Sequence, residues 1–279
     1  MRGVGRHAGK DASAPGNRVG ETWAFDRRPL FMARGLLSLQ PWTADLCRPH
    51  ETQMTAVETD NIARWNDELR SRTPIEITRW AIARAAGRAV VSTNFRPYEA
   101  VVLHLCVQAQ PDIPVLWVDH GYNRPATYKH AEKLRRLLNL NLKPYIPKIT
   151  AAHRDTVYGS VPTTADEEAL KEFSALMKLE PFQRGMKELA PTVWISGLRK
   201  VQNSNRAALD IVSRDENFGA LKVNPVFYLT DEELETYLDA FSLPNEWDYF
   251  DPAKADEKRE CGLHAAWGAT KLRAGGVPS

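Results

Sequence analysis

Cysteine is scarce in this chain, with three in 279 residues. Cys47, Cys106 and Cys261 lie far apart and no two form a C-x-x-C pair, so the residues spell out neither a zinc ribbon nor a typical iron–sulfur ligand set. An odd number of thiols without a secretory signal fits a reducing compartment better than a disulfide scaffold, and any cysteine chemistry must come from single thiols. Long hydrophobic runs are missing too. No stretch approaches the run of about 18 apolar residues that crosses a bilayer, and the first residues lack the short apolar core of a secretory signal, so a cytoplasmic protein with no membrane partner is expected. Neither sign of charge dominates: 37 Lys and Arg face 35 Asp and Glu, net +2. That removes the general electrostatic case for a nucleic-acid partner and leaves room for a local anion site. What is present, with 43% hydrophobic residues, is enough for a substantial core in one large domain or two small ones.

Residues 1–53 mix Gly, Arg, Ser and Pro without periodicity and read as a disordered extension. An organelle transit peptide is one account of them; an early start codon, with Met54 as the alternative start, is the plainer one. From Asp60 the pattern sharpens. Ile62, Trp65 and Leu69 share one helical face, and Thr73-Pro74 opens a second helix with Ile77, Trp80 and Ala81 on one side, a face expected to stop at Arg84. Short apolar runs then alternate with helical segments. Ala89–Val91, Val115–Val118, Leu142–Ile146, Thr192–Ile195 and Leu221–Val223 read as strands. Helices are expected after Ser92-Thr93-Asn94, with Pro97 near the first turn and Val101, Val102, Leu105 and Cys106 inward, over Ala126–Leu138, and over Thr230–Phe241. The class is therefore α/β: a doubly wound, mostly parallel sheet with flanking helices over 54–250, and a tail over 251–279. Ligands of such sheets bind beyond the carboxyl ends of the strands.

Four segments there hold residues able to carry chemistry. Ser92, Thr93, Asn94 and Phe95 form a strand-to-helix turn whose hydroxyls and N–H groups suit phosphate, although the same residues are ordinary helix caps and the turn has no glycine. Asp119-His120-Gly121-Tyr122 follows a buried strand, so Asp119 is placed to accept from a ribose or a base, or else to cap a turn in which Gly121 takes a positive φ. Gly197 to Arg206, with Arg199, Lys200, Gln202 and Arg206, sets cations and amides after a strand, as a polyanion needs, or forms a solvated loop. Lys258-Arg259-Glu260-Cys261-Gly262-Leu263-His264 puts a thiol beside cations that lower its pKa, with His264 available for proton transfer, whereas Cys106 on an apolar helix face looks inert.

In identity, order and approximate spacing these segments resemble the phosphoadenosine phosphosulfate (PAPS) reductase family, over about residues 60 to 264. The resemblance is carried by WISGLRKVQNSNRA at Trp194–Ala207, VDHGYNRPATY at Val118–Tyr128, ECGLH at Glu260–His264 and STNFRPYEAVVLHL at Ser92–Leu105. It implies an adenine nucleotide alpha hydrolase-like fold with a flexible C-terminal catalytic tail, and reduction of PAPS to sulfite and adenosine 3′,5′-bisphosphate. In that chemistry Cys261 attacks the sulfur to form an S-sulfocysteine, and thioredoxin or glutaredoxin releases sulfite. Ser92, Thr93, Asn94 and Phe95 would hold phosphate, Asp119 the nucleoside, and Gly197, Arg199, Gln202 and Arg206 phosphate or sulfate. No bound cofactor or metal is implied: the family's adenylyl-sulfate enzymes generally carry a four-cysteine cluster that three cysteines do not supply. Homodimers are frequent in the family. Two departures stand out. The turn reads Ser-Thr-Asn-Phe-Arg-Pro where Ser-Phe-Gly is usual, and the approach from Trp247 to Cys261 is short, without a Ser-x-Gly or a Thr-rich stretch. Adenylyl-sulfate reduction, ATP pyrophosphatase chemistry and a nucleotide-binding regulator without turnover remain alternatives.

Overall fold

A computed structural model describes residues 56–163, 165–202 and 209–252, with side chains from Asn61 onward. Cys47, Arg206, Cys261, His264 and the 1–53 extension lie outside them. Helix α1 (Ala56–Leu69) leads into α2 (Pro74–Arg84). Thr73 caps α2: its N–H and hydroxyl both donate to the Glu76 carboxylate (2.8 and 2.7 Å), and Pro74 fills the first helical position, where no N–H is needed. The apolar face stops at Arg84, which is exposed and ends α2. Its guanidinium covers the margin of that face, 3.8 Å from the Trp80 ring centre and 5.2 Å from that of Trp65.

Among the described residues the sheet has six strands: β1 (Ala89–Thr93), β2 (Pro114–Val118), β3 (Asn141–Tyr145), β4 (Val193–Ile195), β5 (Val212–Arg214) and β6 (Leu221–Val223). Their spatial order is β3-β2-β1-β4-β6-β5, all neighbours parallel except the β5–β6 pair. The remaining helices are α3 (Glu99–Ala109), α4 (Pro125–Leu137), α5 (Ala151–Tyr158), α6 (Glu167–Ser174), α7 (Glu180–Leu189) and α8 (Asp231–Ala240), with a π-helical turn over Ala175–Leu179 joining α6 to α7.

Strand alternation sorts the core into two faces. Ala89, Val91, Val115, Trp117, Val193 and Ile195 point into the larger core with α2, α3 and α8. Val90, Leu116, Val118 and Trp194 point the other way, onto Phe182 and Met186 of α7. That helix packs close because of Gly185: a Cβ there would sit 2.9 Å from Leu116 Cδ1 and from the Tyr145 ring. At one margin of the sheet the Asn66 side chain of α1 takes the place of a further strand. Its amide donates to the Val212 carbonyl (2.9 Å) and accepts from the Val212 N–H (2.8 Å).

The expected strands and helices are present, with shifted ends. α3 begins at Glu99, after Tyr98 in the left-handed region (φ +70°), so Pro97 precedes the helix instead of lying in its first turn. β3 ends at Tyr145, and Ile146 is exposed. Helices α5, α6 and α7, the π-helical turn between the last two, and β5 have no counterpart among the expected elements.

Candidate active site at the carboxyl edge of the sheet

β1 lies between β2 and β4, so the chain winds outward from β1 in one direction through β2 and β3 and in the other through β4 and β6. The crevice beyond the carboxyl ends of β1 and β4 is the topological switch point, where open α/β sheets bind ligands. Two of the four segments meet there, and a third, Asp119-His120-Gly121-Tyr122, follows the adjoining strand β2. The Arg96 guanidinium donates to the Gly197 carbonyl (3.0 Å) and to the Gln202 side-chain oxygen (3.2 Å), tying the turn after β1 to the loop after β4. Phe95 packs edge-on against Trp117 of β2, with ring centres 5.1 Å apart.

Ser92 lies within β1, and alternation turns it to the opposite face from Thr93. Its oxygen accepts from the Trp194 indole N–H (2.8 Å), the partner that a wholly buried indole requires. Thr93, Asn94 and Arg96 converge instead on one carboxylate, that of Glu99. The Thr93 hydroxyl donates to it at 2.6 Å, the Asn94 N–H at 2.8 Å and Arg96 Nε at 3.0 Å. Turned with its nitrogen toward Glu99, the Asn94 amide donates to both carboxylate oxygens (3.0 and 3.1 Å), and its oxygen accepts from the Tyr249 hydroxyl (2.9 Å). The Phe95 N–H donates to Thr93 Oγ1 (3.0 Å). The left-handed residues of the turn are Phe95 (φ +55°) and Tyr98, not Arg96, so Arg96 brings no positive-φ strain of its own.

After β2, Gly121 has φ +78°, and one Asp119 oxygen, Oδ1, accepts from the Gly121 N–H (3.1 Å), the Asn123 amide (3.2 Å) and the Tyr128 hydroxyl (2.7 Å). Burial first, and the bond to Asp119 second, push the Tyr128 phenol up to about 12. His120 is buried, and its Nδ1 accepts from the Tyr122 N–H (3.1 Å), so this imidazole is neutral. Desolvation, followed by the nearby Lys178 ammonium, pushes its pKa down to about 4.

Arg199 is almost wholly buried. It donates to Asp231 at the start of α8 (2.5 Å) and lies 5.2 Å from the Tyr98 ring centre. A strap over residues 245–251 then crosses the same edge. Asn245 accepts from the Tyr98 N–H (2.9 Å), Trp247 stacks edge-on against Tyr98, and Asp248 pairs with Arg124. Asp251 takes two bonds (2.7 and 2.6 Å) from Lys178 of the π-helical turn, with side chains 3% and 5% exposed.

The structure thus brings Thr93, Asn94, Phe95, Gly197, Arg199 and Gln202 to one edge and sets Asp119 at the end of the adjoining strand. Arg206, Cys261 and His264 lie outside the described residues. Glu99, Lys178 and Asp251 belong to the edge and were not singled out from sequence. A carboxylate entering an otherwise apolar helix and a lysine following Leu170, Phe173 and Met177 on a buried face are the signals by which the first two could have been found. Among the described residues no three His, Cys, Asp or Glu side chains gather as a metal site would need.

A mostly parallel, doubly wound sheet with its polar turns at the switch point defines an α/β protein built to hold a ligand at that edge. Known proteins narrow this further. The family model for the phosphoadenosine phosphosulfate reductase domain matches residues 88–246. A phosphoadenosine 5′-phosphosulfate reductase from Synechococcus sp. is 32% identical over 222 residues, covering 71% of this chain and 95% of that one. Another from Vibrio parahaemolyticus is 33% identical over 236 residues, covering 76% and 90%. Among solved structures, the phosphate complex of phosphoadenylyl-sulfate reductase from Candida auris shares the fold, with a TM-score of 0.59 at 23% identity over 69% of this chain and 89% of that one. The chain belongs to the phosphoadenosine phosphosulfate reductase family.

Proposed function

We propose that this chain is a cytoplasmic enzyme that reduces 3′-phosphoadenylyl sulfate to sulfite and adenosine 3′,5′-bisphosphate, serving sulfate assimilation. The carrying observation is the 32% identity to a reductase of that name over 95% of its length. Cys261 thiolate, favoured by Lys258 and Arg259, attacks the sulfur; the bond to the phosphate oxygen breaks and the bisphosphate leaves, giving S-sulfocysteine. One thiolate of a thioredoxin- or glutaredoxin-type dithiol attacks the Cys261 sulfur, and sulfite departs with the bonding pair. The second carrier thiol closes the carrier disulfide and returns Cys261 as thiolate. No bound cofactor enters this scheme. Thr93, Asn94, Arg199, Gln202 and Arg206 are the phosphate and sulfate contacts in this reading, with Ser92 behind them on Trp194. Asp119 Oδ2, to which no described residue donates, faces the nucleoside.

The test is intact-mass measurement after incubation with 3′-phosphoadenylyl sulfate. A sulfite-sized adduct on wild type but not on Cys261→Ser, with carrier-dependent sulfite release, is expected; unchanged turnover in Cys261→Ser removes the thiol from the chemistry. One observation favours a second reading, a nucleotide-binding regulator without turnover: the donors of the turn after β1 are already taken by Glu99. Nucleotide binding with no adduct would establish that reading instead.

A further inference from the structure

We infer that Glu99 is a built-in anion occupying the phosphate-holding turn, and that it sets the turn's selectivity: an external phosphate enters only in exchange for this carboxylate. The inference rests on the phosphate role proposed above for that turn. Its first support is the donor inventory. The groups that a phosphate would use, the Thr93 hydroxyl, the Asn94 N–H and the Arg96 Nε–H, all donate to Glu99 at 2.6 to 3.0 Å. The Phe95 N–H is spent within the turn on Thr93. Two carboxylate oxygens gathering this many donors reproduce the pattern that phosphate oxygens find at strand-to-helix turns.

The second support is burial with pairing. The Glu99 side chain is 10% exposed and that of Arg96 20%, and a carboxylate so enclosed persists only because its donors compensate the lost water. A phosphate on the same donors would face that charge at close range, so the two anions exclude each other. The third is that Arg96 has independent anchors, the Gly197 carbonyl and the Gln202 side chain. When Glu99 swings out, the guanidinium stays at the site and becomes available to the incoming anion.

Calorimetric titration of adenosine 3′,5′-bisphosphate and of adenosine into wild type, Glu99→Gln, Glu99→Ala and Arg96→Ala/Glu99→Ala tests this. Glu99→Gln keeps the shape of the side chain and its acceptor for the Thr93 hydroxyl. Both single variants are expected to bind the bisphosphate at least about tenfold more tightly, about 1.4 kcal/mol, with adenosine affinity unchanged and the gain lost in the double variant. Equal or weaker bisphosphate binding by the folded single variants, beside a wild type that binds, overturns the role of Glu99 alone. Failure of both single variants to fold also overturns it, because a carboxylate that yields to a ligand is dispensable to the fold. Bisphosphate binding by none of the proteins overturns the phosphate reading of the turn itself.

Discussion

His120 shows how a single buried side chain ties this edge to pH. Its imidazole takes the Tyr122 N–H on Nδ1 and sits near the Lys178 ammonium, so its pKa falls from an ordinary 6.5 to about 4. Between those values the unfolded chain binds the proton and the folded one does not, so stability rises with pH across that window. The contribution is complete above about 6.5 and lost as pH falls toward 4. His120→Asn, which keeps an acceptor for the Tyr122 N–H, is expected to flatten the loss of thermal midpoint between about pH 7 and about pH 5; an equal slope in the variant would refute the assignment. At this scale the sequence was only partly legible. Ser92 and Thr93 read alike as turn hydroxyls, yet strand alternation sends one to Trp194 and the other to Glu99. Arg96 meets Gly197 across 101 residues of separation, and Arg199 meets Asp231 across 32. No local spacing encodes such pairs.

Among elements, α7 is fastened by the absence of a side chain. Gly185→Ala gains about 1 kcal/mol of helix propensity, but its Cβ would press at 2.9 Å on Leu116 and the Tyr145 ring. Overpacking of a buried helix–sheet contact costs about 1–3 kcal/mol, so a net loss of up to about 2 kcal/mol is expected. Urea unfolding measures it, and a stabilised variant would show that α7 moves away without penalty. The strands of the sheet's centre were legible because they are short, β-branched or apolar runs closed by polar turns, as in Ala89–Thr93 and Val193–Ile195. β5 was not, since Val-Ser-Arg has no pattern of its own and exists through its pairing to β6 and its cap from Asn66. The π-helical turn at Ala175–Leu179 likewise reflects tertiary demand: Lys178 is buried there with Asp251, 73 residues away.

For the molecule as a whole, that ion pair decides whether the strap stays down. Removing one partner of a buried pair costs about 3–5 kcal/mol if the remaining charge stays enclosed. The exposed Arg124–Asp248 pair contributes under about 1 kcal/mol, so release of the strap is the cheaper response. Asp251→Asn is therefore expected to abolish amide-exchange protection over residues 245–251 while the strands keep theirs. A drop in global stability with the strap still protected would contradict this. The fate of the strap reaches the chemistry proposed above, because the segment leading to Cys261 departs from its end.

The two margins of the sheet carry a further consequence, for self-association. On β5 the outward N–H and C=O of Val212 are already bonded to the Asn66 amide. On β3 the opposite margin holds Pro144, which has no N–H to offer, beside the exposed Lys143. A strand from another chain finds neither a free ladder on one side nor an unbroken, uncharged one on the other. The fold thus resists runaway edge-to-edge polymerisation through features as small as one amide and one pyrrolidine ring.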